Sequence, residues 1–376
     1  MKVAVNTRLL LKDKLEGIGW FTFEVMKRMV KNHPEVEFLF LFDRPYSEDF
    51  IFSSNVKAKV VFPQARHPIL YHWWFEYSIP KILIREKVDV FFSPEGFVSL
   101  KSKVPTINVL HDINFVHEPE AIKSFDRKHF LKYFPKYAHK ADTVITVSNF
   151  SKNDILKHYK LPEGKIVVAY NGVGEQYRTG SPKEILQTRE KYSEGCEYLL
   201  FVGSMQPRKN ITRLMLAFDE MKKSSNDASI KNVKLLLVGN KHVWTNEMEK
   251  AFSEMSFSED VIFTGRVNGD DLVNIYAAAK ALTYVPVFEG FGLPIVEGFK
   301  SGIPVITSNI SSMPEVAGEA ALLVDPYNVE DISQAMIKVM TKEKLTKELV
   351  EKGFKQAALF SWDRTEEIIW KEIEKL

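Results

Sequence analysis

The sequence predicts an α/β protein of two doubly wound domains, each built on a parallel sheet. Three observations predict it. Short apolar runs alternate with amphipathic stretches from one end to the other, the pattern of βαβ units. The apolar runs fall into two sets, parted by a polar, strand-poor stretch at 174–195. The length of 376 residues suits two domains of ordinary size.

In the first set, strands are expected at 2–6, 36–42, 88–92, 106–110 and 143–147. An amphipathic helix is expected at 21–30, opened by Glu16-Gly17-Ile18-Gly19-Trp20. The segment 66–77 is dense in aromatic and basic residues, which suit sugar stacking or a membrane interface. Aromatics at helical spacing are more commonly core, and Trp73, Trp74 and Phe75 are read so. In the intervening stretch, Thr179-Gly180-Ser181-Pro182 leads into a charged, helix-like segment, and the hinge is expected at 174–195. Strands of the second set are expected at 198–202, 233–238, 261–263, 281–285, 305–307 and 321–324. The tail carries Trp362, Ile368, Ile369, Trp370 and Ile373 at helical spacing.

Composition narrows the class. Apolar residues make up 45% and charged residues 27%, as in globular proteins, and a net charge of +2 makes no case for nucleic acid. There is no run of about 18 apolar residues, and the start is too soon polar for a signal peptide, so a cytoplasmic location is expected. Cys196 is the only cysteine, which excludes an intrachain disulfide and a thiolate cluster, and the histidines show no metal-ligand spacing.

Four places suggest chemistry. Glu289 follows an apolar run, then Gly290, Phe291, Gly292 and Leu293 form a bend, and Pro294 sits where a helix begins. Glu297 falls one turn in, so two carboxylates flank a helix N-terminus suited to an anionic or polar ligand. Alone, Glu297 would serve equally well to complement the helix dipole. Gly203 through Arg208 and Lys209 joins a strand to a helix. Two cations beside the positive end of a helix dipole are better explained by a diphosphate ligand than by solvation. His111-Asp112 ends the strand at 106–110, at the edge where doubly wound sheets bind ligands, although the Asp also reads as a helix cap. Gly17 and Gly19 allow close approach of a ligand to the backbone, without completing a dinucleotide fingerprint. Ser148-Asn149-Phe150-Ser151 reads mainly as a helix cap.

The string Glu289-Gly290-Phe291-Gly292-Leu293-Pro294-x-x-Glu297, followed by Gly302-x-Pro304-Val305-Ile306 and Pro314-Glu315-Val316, resembles the retaining glycosyltransferases of family 4. The resemblance runs along nearly the whole chain and is strongest in the second half. It implies the GT-B fold: two Rossmann-like domains facing a cleft, at 1–175 and 176–358, with a helix at 359–376 crossing back to the first. It implies that Arg208 and Lys209 hold the donor's diphosphate, Glu297 the ribose hydroxyls, and Gly265, Arg266 and Val267 the base. Glu289 and His111 would lie beside the transferred sugar. Gly290, Phe291, Gly292 and Leu293 would face sugar and phosphate, and Gly17 and Gly19 the donor phosphates and acceptor. Domain closure would assemble the site.

The activity so implied is transfer of a hexose, first of all mannose from GDP-mannose, to a glycan or lipid-linked acceptor in surface polysaccharide synthesis. Retention without a covalent intermediate, no metal or other cofactor, and peripheral contact with the cytoplasmic membrane are expected with it. A sugar-nucleotide epimerase or hydrolase of the same fold, and a non-catalytic nucleotide-sugar-binding protein, are the alternatives.

Overall fold

The computed structural model describes residues 1–12, 14–119, 124–267 and 269–376. The chain divides into two compact units, one of residues 1–172 with 361–376, the other of residues 173–360.

Unit 1 holds a seven-stranded sheet. Its strands are β1 (Lys2–Asn6), β2 (Glu37–Phe42), β3 (Val56–Val60), β4 (Val90–Ser93), β5 (Thr106–Val109), β6 (Thr143–Thr146) and β7 (Ile166–Val168), in the order β3-β2-β1-β4-β5-β6-β7. Every pairing is parallel. Because helices cover both faces of such a sheet, its inner strands read as unbroken apolar runs, and Phe38, Phe40, Phe91 and Phe92 are fully buried. Strands β3 and β7 were not expected from the sequence. The helix Gly17–Asn32 begins four residues before the expected start.

The aromatic segment splits. Trp74 and Phe75 are core, with the Trp74 indole donating to the Val61 carbonyl at 2.7 Å. Trp73 is not core: it is 56% exposed. The helix widens into a single π-type turn at Trp74–Ser78, and this shifts the helical phase from which burial was inferred.

Unit 1 is completed by the helix Trp362–Ile373, which lies on the helix Gly17–Asn32. Trp370 stacks on His33 with centroids 3.6 Å apart, and Glu366 accepts hydrogen bonds from Asn32 and His33 at 2.9 and 3.1 Å. Arg28 meets Asp363 at 2.6 Å.

Unit 2 holds a six-stranded parallel sheet of β8 (Tyr198–Val202), β9 (Lys234–Val238), β10 (Val261–Gly265), β11 (Ala281–Tyr284), β12 (Val305–Ser308) and β13 (Ala321–Val324), in the order β10-β9-β8-β11-β12-β13. All six expected strands are present, within two residues at each end. The stretch 174–195 contains the helix that its charged segment suggested. Residues 182–193 form a helix with a full capping box, Ser181 to Glu184, and it packs on the helix Gly269–Ala278. That leaves 173–181 as the irregular stretch. Both sheets fit the doubly wound α/β class.

Candidate active site

In unit 2 the turn after β8 and the loop after β11 are fastened together. Asn210, in the left-handed conformation at φ +61, donates its side-chain amide to the Val285 and Pro326 carbonyls at 3.1 and 2.7 Å. The Val287 amide donates to the Arg208 carbonyl at 2.9 Å. These bonds bring Arg208 and Lys209, 81 and 80 residues away in sequence, onto Glu289. Arg208 donates to the Glu289 carboxylate at 2.7 Å, Lys209 meets the same oxygen, and the Tyr284 hydroxyl donates to it at 2.9 Å. The three charged side chains are at most 15% exposed.

Burial alone would raise the Glu289 pKa, but Arg208 and Lys209 outweigh it and hold the carboxyl at about 2. Glu289 is therefore an anion throughout the physiological range and cannot serve as a general acid. It orders two cations around one point. The loop behind it is pinned in turn: Ser311 and Ser312 hydroxyls donate to the Glu289 carbonyl at 2.6 and 2.8 Å.

Gly290 and Phe291 are buried, and Gly292 caps the helix Leu293–Lys300 at φ +99. A Cβ at Gly292 would stand 2.7 Å from the Met313 methyl, so both conformation and space require glycine. One turn into this helix, the half-buried Glu297 accepts from the Tyr276 hydroxyl at 2.6 Å. Burial pushes its pKa up, against hydrogen bonds from Tyr276 and Tyr177. Gly203 follows β8, with its amide on the Val238 carbonyl at 2.9 Å, while Arg266 and Val267 follow β10, Arg266 exposed. Arg208, Lys209 and Glu289 are thus brought into direct contact, and Glu297 forms a separate group with two tyrosines.

The other three expected residues belong to unit 1. His111 follows β5 and places Nε2 2.9 Å from the Pro94 carbonyl, which fixes Nε2 as the protonated nitrogen. Its ring meets Phe21 edge-on, and burial lowers its pKa to about 4. Pro94 adjoins Glu95, whose carboxylate is gripped by Arg8 at 2.9 and 2.6 Å. Gly19 lies where a Cβ would stand 2.9 Å from the Leu9 carbonyl, whereas a Cβ at Gly17 would meet nothing within 4 Å. Packing alone accounts for Gly19.

Sequence reasoning missed Tyr284, Tyr276, Tyr177, Ser311, Ser312, Asn210, Arg8 and Glu95. Tyr284 sits inside an apolar strand and Tyr276 on an apolar helix face, where a hydroxyl leaves no trace in periodicity. It also missed His117, Asp154 and His158, which come from two elements and gather around one carboxylate, with 2.8 Å from His117 Nε2 and 3.1 Å from His158 Nδ1. His158 Nδ1 also lies 2.9 Å from the Asp154 carbonyl. That nitrogen carries a proton there, so the group reads as a hydrogen-bonded clasp rather than a metal centre.

Comparison with known proteins places the chain in a family. Residues 183–356 match the family model of group 1 glycosyl transferases, and residues 15–176 match that of Glycosyltransferase Family 4. O-antigen chain mannosyltransferase B of Escherichia coli is 30% identical over 380 residues, covering 96% of this chain and 97% of that protein. The chain belongs to this glycosyltransferase family. The serotype-specific mannosyltransferase WbdA of Escherichia coli is 29% identical over 232 residues, 60% of this chain and 28% of that longer protein. Among solved structures, HepE of Anabaena, in complex with UDP and glucose, superposes with a TM-score of 0.77 at 16% identity over all of both chains. Sucrose-phosphate synthase of Thermosynechococcus elongatus gives 0.79 at 16% identity, over 100% of this chain and 98% of that one. At such identity these two establish the GT-B fold alone.

Proposed function

We propose that this glycosyltransferase moves a mannosyl residue from GDP-mannose to a hydroxyl of a glycan or lipid-linked oligosaccharide, with retention at the anomeric carbon and without a metal, in surface polysaccharide synthesis. The observation that carries the reading is the convergence of Arg208 and Lys209 on Glu289. Departure of a nucleoside diphosphate concentrates negative charge, and two preorganised cations stabilise it where it develops. Glu289, ionised and held by both cations, positions them and does not attack. Glu297 takes the ribose hydroxyls. His111, neutral with its proton on Nε2, offers Nδ1 as an acceptor toward the sugar. Mannose as the sugar is supported by the similarity to O-antigen chain mannosyltransferase B over nearly its whole length.

Peripheral attachment to the cytoplasmic membrane face belongs to the same proposal. No helix among the described residues is long and apolar enough to cross a membrane. Ile69, Trp73 and Tyr77 are 65%, 56% and 40% exposed, and Phe125 is 54% exposed and stacked on His67. Beside them the helix Ser124–Lys140 carries Lys128, Lys132 and Lys136. Apolar rings flanked by cations suit an anionic lipid surface.

The test is a thermal-shift series with GDP, UDP and ADP and their sugar conjugates. A ligand at a hundred times its Kd stabilises by about 2.7 kcal/mol. A shift selective for GDP and GDP-mannose, lost in Lys209→Ala, is expected. A shift with UDP conjugates alone would replace the donor, and no shift with any nucleotide would overturn the reading. Turnover of the donor without acceptor, at the rate seen with it, would point to a hydrolase.

A further inference from the structure

We propose that a basic hollow in unit 1 binds a phosphate or pyrophosphate carried by the acceptor. This deepens the glycosyltransferase reading and rests on it. The loops that follow β1, β2 and β3, three adjacent strands, enclose a hollow of about 520 Å³. Leu10, Lys12 and Lys14 come from the first loop, Tyr46 and Ser47 from the second, and Arg66 from the third. The position is the carboxyl edge of a doubly wound sheet, where this architecture binds ligands. The volume falls within the range of about 300–1,000 Å³ usual for ligand pockets.

The lining sets the ligand's chemistry. Lys12, Lys14 and Arg66 line the hollow, and among the described residues no carboxylate does. Lys12 pairs with Asp49 at 3.0 Å, with both side chains more than 60% exposed. A solvated pair of this kind contributes little, so a more highly charged anion displaces it. Three cations exceed what one sugar carboxylate neutralises and match a phosphate or pyrophosphate, which the Arg66 guanidinium can grip with two parallel hydrogen bonds. Tyr46 adds a ring held flat against Phe42, at 4.5 Å between centroids and 18° between planes, a firm wall for a sugar. The donor's diphosphate is assigned to Arg208 and Lys209 in unit 2, so an anion in this hollow belongs to the other substrate. Its source is either a soluble sugar phosphate or a saccharide linked through pyrophosphate to a lipid.

Inorganic pyrophosphate titrated calorimetrically into full-length Lys209→Ala, whose donor site is disabled, tests the binding. Saturable binding is expected, weakened tenfold or more when Lys12→Gln and Arg66→Gln are added. Binding that those two changes leave intact, or no binding at all, overturns the proposal. In the Lys209-intact protein, a GDP thermal shift retained with Lys12→Gln and Arg66→Gln shows that the variant is folded. If wild type binds no nucleoside diphosphate, the glycosyltransferase reading has failed, while the pyrophosphate titration still decides the hollow. Competition in the transfer assay then separates the sources. A hexose 1-phosphate that competes identifies a soluble phosphate, and a prenyl-pyrophosphate saccharide that alone competes identifies the lipid-linked one. A methyl hexoside competing as well as either would sink the idea.

Discussion

At Lys209 one ammonium is shared between the Tyr284 hydroxyl and the Glu289 carboxylate. On the proposed function Lys209 is a donor to the leaving diphosphate, so Lys209→Ala is expected to lower kcat by about 10²–10³-fold, read from steady-state kinetics on the folded variant. Glu289→Gln acts oppositely on binding. Without their internal counter-ion the two cations should hold GDP more tightly while turnover falls; full turnover with unchanged donor affinity would contradict the role given to Glu289. His111 sets a pH signature. Its folded pKa of about 4 lies below the ordinary 6.5, so between those values the unfolded chain binds a proton that the folded one does not. The stability it withholds is absent above pH 6.5 and grows as pH falls toward 4, reaching roughly 3 kcal/mol at a unit value of 1.36 kcal/mol. Urea unfolding of wild type should therefore weaken from pH 7.5 to pH 5 more steeply than that of His111→Phe. Equal slopes would show that His111 is not buried as described. The charged members of the site were legible because cations and carboxylates at strand-to-helix junctions stand out against apolar runs. The tyrosines were not, since one hydroxyl does not alter the hydrophobic period of strand or helix.

Among elements, the helix Trp362–Ile373 contributes most that its sequence position conceals. Trp370, 7% exposed, packs on His33 and Phe38. Trp370→Ala is expected to cost about 3–5 kcal/mol, the usual range for a buried large aromatic, measurable as a lowered urea midpoint for unit 1. The helical spacing of Trp362, Ile369, Trp370 and Ile373 made the element legible, as did the alternation of strands and helices for the six strands of unit 2. Strands β3 and β7 were illegible for physical reasons. β3 reads Val-Lys-Ala-Lys-Val with only Val56 buried, as befits an edge strand with one wet face. β7 is three residues long, too short to show any period. The helix Pro182–Ser193 was visible as a charged segment, but its capping box was not used to end the irregular stretch before it.

At the scale of the molecule, the two units differ in how their parts are joined. Unit 2 is one continuous segment with its own sheet and core, and residues 173–360 expressed alone are expected to fold cooperatively. Residues 1–172 alone lack the partner of the helix Gly17–Asn32 and should remain loosely packed. Addition of a peptide of residues 361–376 should restore near-UV circular dichroism and a cooperative transition. A cooperative 1–172 fragment, unaffected by the peptide, would count against the part given to that helix.

The return of the chain to unit 1 has a consequence for biosynthesis. A ribosome releases residues 173–360 in the interval between the two parts of unit 1, and at about 5–20 residues per second that interval is on the order of tens of seconds. During it the second-made unit can finish folding while the first-made one waits with an apolar helix face uncovered. The nascent protein is then a client for chaperones at its beginning rather than its end, and a premature stop just before Trp362 leaves both sheets whole but the first unit without the helix that covers it.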